Sequence, residues 1–303
     1  MSIARTSKAP PPRTRTDGAP FLMALPALLL FALFALVPMA IVVYLSFTSW
    51  DGLGTPAWTG LDNWRTALTS DVTRHALWLT AKLMVFSWIV QTPISLLLGV
   101  FVAGKQRYRA LLGVFYFVPL LISTAAIAVI FKNLLDPNFG LGAALHLSLL
   151  GQDWLGDPQL AFYTVVFVIS WQFVPFHTLL YQAGARQIPA SLYEAASIDG
   201  AGRLAQFWHI TLPQLRYTIV TSSTLMVVGS LTYFDLVFVL TGGGPGYATR
   251  ILPLDMYITG FQSNQMGLAS AISVVLVAAG LLVSLALVRF SGFSRMRSQQ
   301  AGM

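Results

Sequence analysis

The chain has 303 residues, of which 56% are hydrophobic and only 10% charged, and its mean hydropathy is +0.70. That composition excludes a water-soluble globule and specifies a polytopic membrane protein. The formal charge of +7 is read as cytoplasmic flanking charge, not as a footprint for nucleic acid, and the absence of cysteine removes disulfides, thiolate catalysis and Cys-ligated zinc.

Residues 1–20 are polar, Pro-rich and basic, with Arg5, Lys8, Arg13 and Arg15, and are expected to form a disordered cytoplasmic tail. The apolar run Phe21 to Phe47 is too long for a signal-peptide core and lacks a small-residue cleavage site, so it is the first transmembrane helix. Five further runs, near 83–103, 111–131, 161–184, 217–240 and 267–289, each reach the about 20 residues that a ~30 Å hydrocarbon core requires. The expectation is therefore an all-α domain of six transmembrane helices over 21–289, followed by a cytoplasmic tail, 290–303. Lys82 stands at the end of the second run, where it can snorkel to the interface. The segment 141–150 is apolar but too short to span; it reads as an interfacial helix with His146 on its wet side.

Charge sets the orientation. One side holds the N-terminal tail, Lys105, Arg107, Arg109, Arg186, Arg203, Arg216, Arg289, Arg295 and Arg297. The other holds Arg65, Arg74, Lys82, Lys132 and Arg250, diluted by seven aspartates that include Asp62, Asp157 and Asp255. The basic side is cytoplasmic, which puts both termini and the loop after the fourth run inside.

That loop contains Glu194, the only glutamate in the chain. Ser191 and Glu194 have the spacing of a capping box, so a helix is expected to start there, just after Pro189. Ala195 and Ala196 extend it, Gly200 and Gly202 break it, and a second piece runs from Arg203 to His209 until Pro213 stops it. Taken alone, Glu194 could simply cap a helix. A dinucleotide fingerprint on Gly200-x-Gly202-x-x-Ala205 fails, because no strand precedes it and no acidic residue follows about 20 positions on.

The whole string, Glu194-Ala195-Ala196, Asp199-Gly200-Ala201, then Ile210, Leu212 and Pro213, resembles the EAA loop of binding-protein-dependent ABC import permeases. The resemblance implies a type I ABC importer permease fold. In it, residues 186–215 form the coupling helix, and those nine positions dock into a cleft on an ATP-hydrolysing subunit. Two outer loops are similar to sugar-type members: Trp58-Thr59-Gly60-Leu61-Asp62-Asn63-Trp64, and Thr241-Gly242-Gly243-Gly244-Pro245. The likeness extends from about Phe21 to Arg289 and points to the branch that includes maltose and glycerol-3-phosphate permeases. It implies a bacterial inner-membrane protein that pairs with a second homologous permease, two ATPase subunits and an extracytoplasmic sugar-binding protein.

No catalytic constellation is present. Gly104-Lys105 lacks the remainder of a phosphate loop, so ATP and Mg belong to the partner ATPase and no cofactor is expected on this chain. His75, His146, His177 and His209 have no metal-ligand spacing. Polar groups inside a bilayer usually face a protein interior or a cavity. In the fourth run, Gln172, Phe173 and Phe176 share a face, and Pro175 beside them is expected to open a bend. Gly229, Ser230 and Tyr233 form a similar face in the fifth run. By the resemblance these six line the substrate path, with rings for sugar faces and amide or hydroxyl groups for sugar hydroxyls. Ordinary helix packing is the alternative for Phe173, Phe176, Gly229 and Ser230. The absence of a cationic pair there favours a neutral sugar over a phosphate ester. The competing function is a proton-coupled secondary transporter using Asp235, although no internal repeat supports it.

Overall fold

A computed structural model describes residues 19–104, 107–148 and 151–290; the expectations for the two tails and for Lys105 fall almost wholly outside that range. The chain opens with a rod made of α1 (Ala19–Phe31), a π turn (Ala32–Leu36) and α2 (Val37–Leu45). Pro38 has no N–H to give the preceding turn, which fits the local widening of the ladder. A short antiparallel hairpin of β1 (Thr48–Ser49) and β2 (Ala57–Trp58) follows, then α3 (Asp62–Thr69) and the 32-residue α4 (Asp71–Val102). The Ser70 hydroxyl caps α4 by accepting from Thr73 N–H.

At a rise of about 1.5 Å per residue α4 is ~48 Å long, so it projects well past one face of the hydrocarbon. Lys82 therefore lies within a helix and not at its end. Its Nζ sits 4.2 Å from the Phe162 ring centre and 5.4 Å from that of Tyr163.

The third run is not one straight span. It consists of α5 (Arg107–Leu121) and α6 (Thr124–Leu134), which meet at 101° across Ile122 and Ser123. Pro119 weakens the end of α5, and the Ser123 hydroxyl restarts the chain by capping Ala126 N–H at 3.3 Å. Of the expected 141–150 helix, α7 (Leu141–Ala144) is the part that forms among the described residues; His146 follows it in the left-handed region at φ 52° and is exposed.

Next comes α8 (Pro158–Arg186), capped by Asp157, whose Oδ1 accepts from Gln159 and Leu160 N–H. Pro175 lies inside α8 without interrupting it, so the bends fall in its neighbours instead. The loop helices are α9 (Ala190–Ile198), α10 (Arg203–Gln206), a π turn (Phe207–Thr211) and α11 (Leu212–Gln214). The fifth run is again broken, into α12 (Arg216–Ser230) and α13 (Phe234–Leu240), which differ in direction by 51°. Finally α14 (Leu252–Tyr257) continues through a π turn (Ile258–Gln262) to α15 (Met266–Phe290). Among the described residues four helices are long and apolar enough to cross a membrane, or six spans if each bent pair counts as one.

The packing centres on α4 against α8. One face of α4 is buried at three- and four-residue intervals: Thr73, Ala76, Thr80, Leu83, Ser87, Gln91, Ser95, Gly99 and Val102. Gly99 allows the close crossing, since a Cβ there would meet Tyr181 Cβ and the Thr178 carbonyl. Leu83, Ile127, Val165, Ile169, Leu236 and Leu254 form the main apolar core, which draws both broken spans onto α8.

Candidate coupling hairpin and transport path

The 190–214 segment is a helical hairpin that stands away from the bundle. Helix α9 begins at Ala190, with Pro189 in the cap position and no side-chain cap. Ser191 is inside the first turn, so the capping box does not form, and Glu194 is left exposed without a hydrogen bond or ion pair among the described residues. The far end of α9 is closed more tightly. Ala201 N–H bonds Ala196 C=O at 2.8 Å and Gly200 N–H bonds Ser197 C=O at 3.1 Å, while Gly200 holds φ +82°. This is the Schellman closure, in which the left-handed residue satisfies the last carbonyls of a helix. It explains Asp199-Gly200-Ala201 without invoking a partner.

The return leg is tied to α9 by side chains. Gln206 Nε2 donates to Ala201 C=O at 2.9 Å and to Ser197 Oγ at 3.0 Å. The Tyr193 and Thr211 hydroxyls meet at 2.9 Å. Pro213 does not stop this leg. It sits within the first positions of α11, and the helical path runs on to Gln214. Leu212, Phe207 and Ile188 pack against Leu96, Tyr181 and Leu215, which fixes the base of the hairpin to α4, α8 and α12.

The nine residues singled out in the sequence thus divide. Glu194, Ala195, Asp199, Gly200 and Pro213 are exposed; Ala196, Ala201, Ile210 and Leu212 are half-buried, with Leu212 serving the base. Sequence reasoning missed the apolar tip: Ile198 is 87% exposed and Leu204 74%, with Trp208 exposed beside them. Their signal was available as large apolar residues beside the helix-breaking glycines with no hydrophobic face to join. The result is a rigid projection carrying the carboxylates of Glu194 and Asp199 and several uncovered apolar side chains, a surface suited to a protein partner.

Inside the bundle, two consecutive residues of α8 contact the two helix breaks. Gln172 Nε2 donates to Thr124 Oγ1, at the start of α6, at 2.9 Å. The Phe173 ring lies 5.3 Å from that of Tyr233, in the break between α12 and α13. Gln172, Ser230 and Tyr233 are all buried within this chain, and Ser230 Oγ bonds Val227 C=O. Phe176 is exposed and Gly229 half-buried. A polar seam continues from this point: His177 Nδ1 meets Ser222 Oγ at 3.0 Å, Trp88 Nε1 donates to Ser223 Oγ at 2.8 Å, and the Tyr116 and Thr178 hydroxyls pair at 3.0 Å. Among the described residues Ser87 Oγ and Gln172 Oε1 are buried without a partner. Thr124 and the Ser87, Gln91, Ser95 series had not been singled out, although that series was readable as a four-residue polar period in an apolar run. Beside the seam, a groove of about 560 Å³ opens between α4, α5 and α8, lined by Ile94, Phe115, Phe167 and Trp171 among others.

The two loop motifs, Trp58–Trp64 and Thr241–Pro245, act as latches. Asn63 donates to the carbonyls of Ser46 and Thr48 at 3.1 and 2.7 Å, and Trp64 Nε1 reaches Ser46 Oγ. Gly267 lies where a Cβ would collide with the Thr48 carbonyl, so the same point also receives the start of α15. In the glycine loop, Gly242 and Gly243 hold positive φ, and Thr249 bonds Thr241 Oγ1 and the Gly244 carbonyl. Asp255 and Arg250, assigned from sequence to charge balance on an outer surface, instead form an ion pair at 2.7 Å in which Asp255 is buried and Arg250 half-buried. Thr73 Oγ1 donates to the second oxygen of Asp255.

Residues 91–294 match the family of the binding-protein-dependent transport system inner membrane component. The chain is 34% identical over 278 residues to a probable ABC transporter permease protein, YurN, of Bacillus subtilis, covering 89% of this chain and 95% of that one. It is 32% identical over 280 residues to the arabinooligosaccharides transport system permease protein AraP of the same organism, covering 91% and 89%. Among solved structures, a chain of a bacterial alginate ABC transporter in complex with alginate pentasaccharide-bound periplasmic protein superposes with a TM-score of 0.80. That match has 22% identity and covers 91% of this chain and 94% of the other.

Proposed function

This chain belongs to the binding-protein-dependent transport system inner membrane components, and on that premise we propose that it is one of two permease subunits of an ATP-driven sugar or oligosaccharide importer. The second permease is a homologous chain. Two ATPase subunits, which bind the ATP and Mg, engage the 190–214 hairpin from the cytoplasm, and an extracytoplasmic binding protein delivers substrate to the opposite face. Both termini lie on the cytoplasmic side with the hairpin. The observation that carries the proposal is the hairpin itself: a closed, cross-tied projection that leaves Glu194, Ile198 and Leu204 uncovered. ATPase closure moves the two hairpins, and their fixed bases convey that motion to the bundle as a rigid-body change in access.

The sugar class is supported by the relative named for arabinooligosaccharides and by the aromatic and amide groups of the path. Gln172, Phe173, Phe176, Gly229, Ser230 and Tyr233 line the site in this reading, with Phe176 open to the paired permease. Gln172 and Tyr233 are reached only when the breaks shift. The alternative, a proton-coupled transporter using Asp235, has no support in the family, and Asp235 is exposed in the first turn of α13.

The test is uptake into vesicles. Glu194→Ala combined with Gly200→Pro should abolish ATP-driven import while leaving the two permeases paired; full uptake by that variant would refute the coupling role.

A further inference from the structure

We propose that the crevice between α4 and α8 is a binding site for one anionic phospholipid, with its phosphate on Lys82 and an acyl chain in the groove below. The site does not depend on which solute the complex carries.

The polar end is set by Lys82. Its Nζ lies 4.2 Å from the centre of the Phe162 ring, 5.4 Å from that of Tyr163 and 5.8 Å from that of Phe86. These rings hold the ammonium by cation–π attraction but supply no negative charge. Among the described residues no carboxylate lies within ion-pair distance of Lys82, and Asp157, at the head of α8, is spent on capping. Phe162 is in the second turn of α8, so Lys82 stands near the end of that helix farther from the 190–214 hairpin. Trp78, one turn nearer that end of α4, and Tyr163 are both exposed, as aromatic residues are at head-group level. A half-buried cation at that depth without a counter-ion is costly.

The apolar end continues from the same rows of residues. Lys82, Phe86, Val90, Ile94 and Leu98 follow one another at four-residue spacing along α4, and the last three line the groove of about 560 Å³. On α8 the exposed row is Tyr163, Phe167 and Trp171, and the last two line the same groove. Val90 and Leu98 lie about 12 and 24 Å from Lys82 along α4, against about 15 Å for one leaflet of the hydrocarbon. The groove is therefore placed for the far part of a chain whose head rests on Lys82. By helical period, Phe167 and Trp171 occupy the side of α8 opposite Phe173 and Phe176, so the crevice opens away from the sugar path and from the paired permease. One uncompensated cation above an apolar channel matches an amphiphile with one net negative charge at its head. A zwitterionic lipid brings its own cation and gains less.

The purified complex of both permeases and the ATPase, in nanodiscs, is irradiated with phosphatidylglycerol or phosphatidylcholine carrying a diazirine at the end of one acyl chain, and the labelled peptides are mapped. Phosphatidylglycerol should label the 90–98 and 167–174 segments at least about fivefold more than phosphatidylcholine at equal mole fraction. Lys82→Gln should lower that labelling to the phosphatidylcholine level and Lys82→Arg should retain it. Ile94→Trp, which fills the groove, should lower it with Lys82 intact. Equal labelling by the two lipids in the wild-type complex, a comparison that needs no variant, overturns the proposal, since the crevice then holds ordinary boundary lipid. Undiminished labelling of an assembled Lys82→Gln complex overturns it as well. So does a photo-crosslink from Phe115→benzoylphenylalanine, on the α5 wall of the groove, to the second permease, which would show a protein occupant.

Discussion

Single residues here act mainly by closing backbone. Gly200 sits at φ +82°, and a Cβ there would meet nothing within 4 Å, so the cost of substitution is conformational alone. Gly200→Ala should therefore destabilise the hairpin by about 1–2 kcal/mol. Gly200→Asn should recover part of that loss, because Asn tolerates the left-handed region. Limited proteolysis of the hairpin in the purified complex would measure both. Asn63 is the corresponding residue in the loop before α3. Asn63→Leu keeps the volume but leaves the Ser46 and Thr48 carbonyls unanswered, at a cost of about 1–3 kcal/mol, which a lower thermal midpoint of the complex would register. Both roles lay within motifs visible in the sequence. What the sequence could not supply was the receiving partner, since Asn63 bonds residues fifteen and seventeen positions earlier.

At the scale of elements, hydropathy located the long apolar helices but not the bends that break two of the runs. Apolar length decides that a segment crosses a membrane. It is silent on whether the segment bends, because the Ile122–Ser123 and Leu231–Tyr233 breaks are packed against tertiary neighbours: Gln172 from α8 for one and Phe173 for the other. For the same reason Pro175, the local breaker that sequence favours, does not interrupt α8, which is packed along most of its length. The Arg250–Asp255 pair, with its carboxylate buried, was likewise hidden, since loop charges are read as solvated until packing encloses them. It ties the glycine loop to α4 through Thr73. Asp255→Ala leaves a half-buried guanidinium unpaired and should cost about 1–3 kcal/mol. The double variant Asp255→Leu with Arg250→Met should recover most of that. Thermal unfolding of the four variants of this cycle would show a recovery, and additive losses would contradict the pairing.

For the whole molecule, the charge asymmetry and the hairpin demand a single orientation. With the hairpin inside, Trp58, Asp157 and Gly244 lie on the opposite face. An impermeant thiol reagent added to intact cells should label Trp58→Cys, Asp157→Cys and Gly244→Cys and spare Glu194→Cys; labelling at 194 would invert the topology. The central claim is that the exposed tip is what a cytoplasmic ATPase grips. Buried apolar anchors in such contacts are each worth about 2 kcal/mol or more, and a carboxylate placed in them adds an unpaired charge. The most direct measurement is therefore co-purification of the ATPase subunit with a permease pair carrying Ile198→Asp and Leu204→Asp. The account predicts that the ATPase yield falls at least about tenfold while the paired permease stays bound. Undiminished ATPase recovery with normal ATP-driven uptake would contradict it.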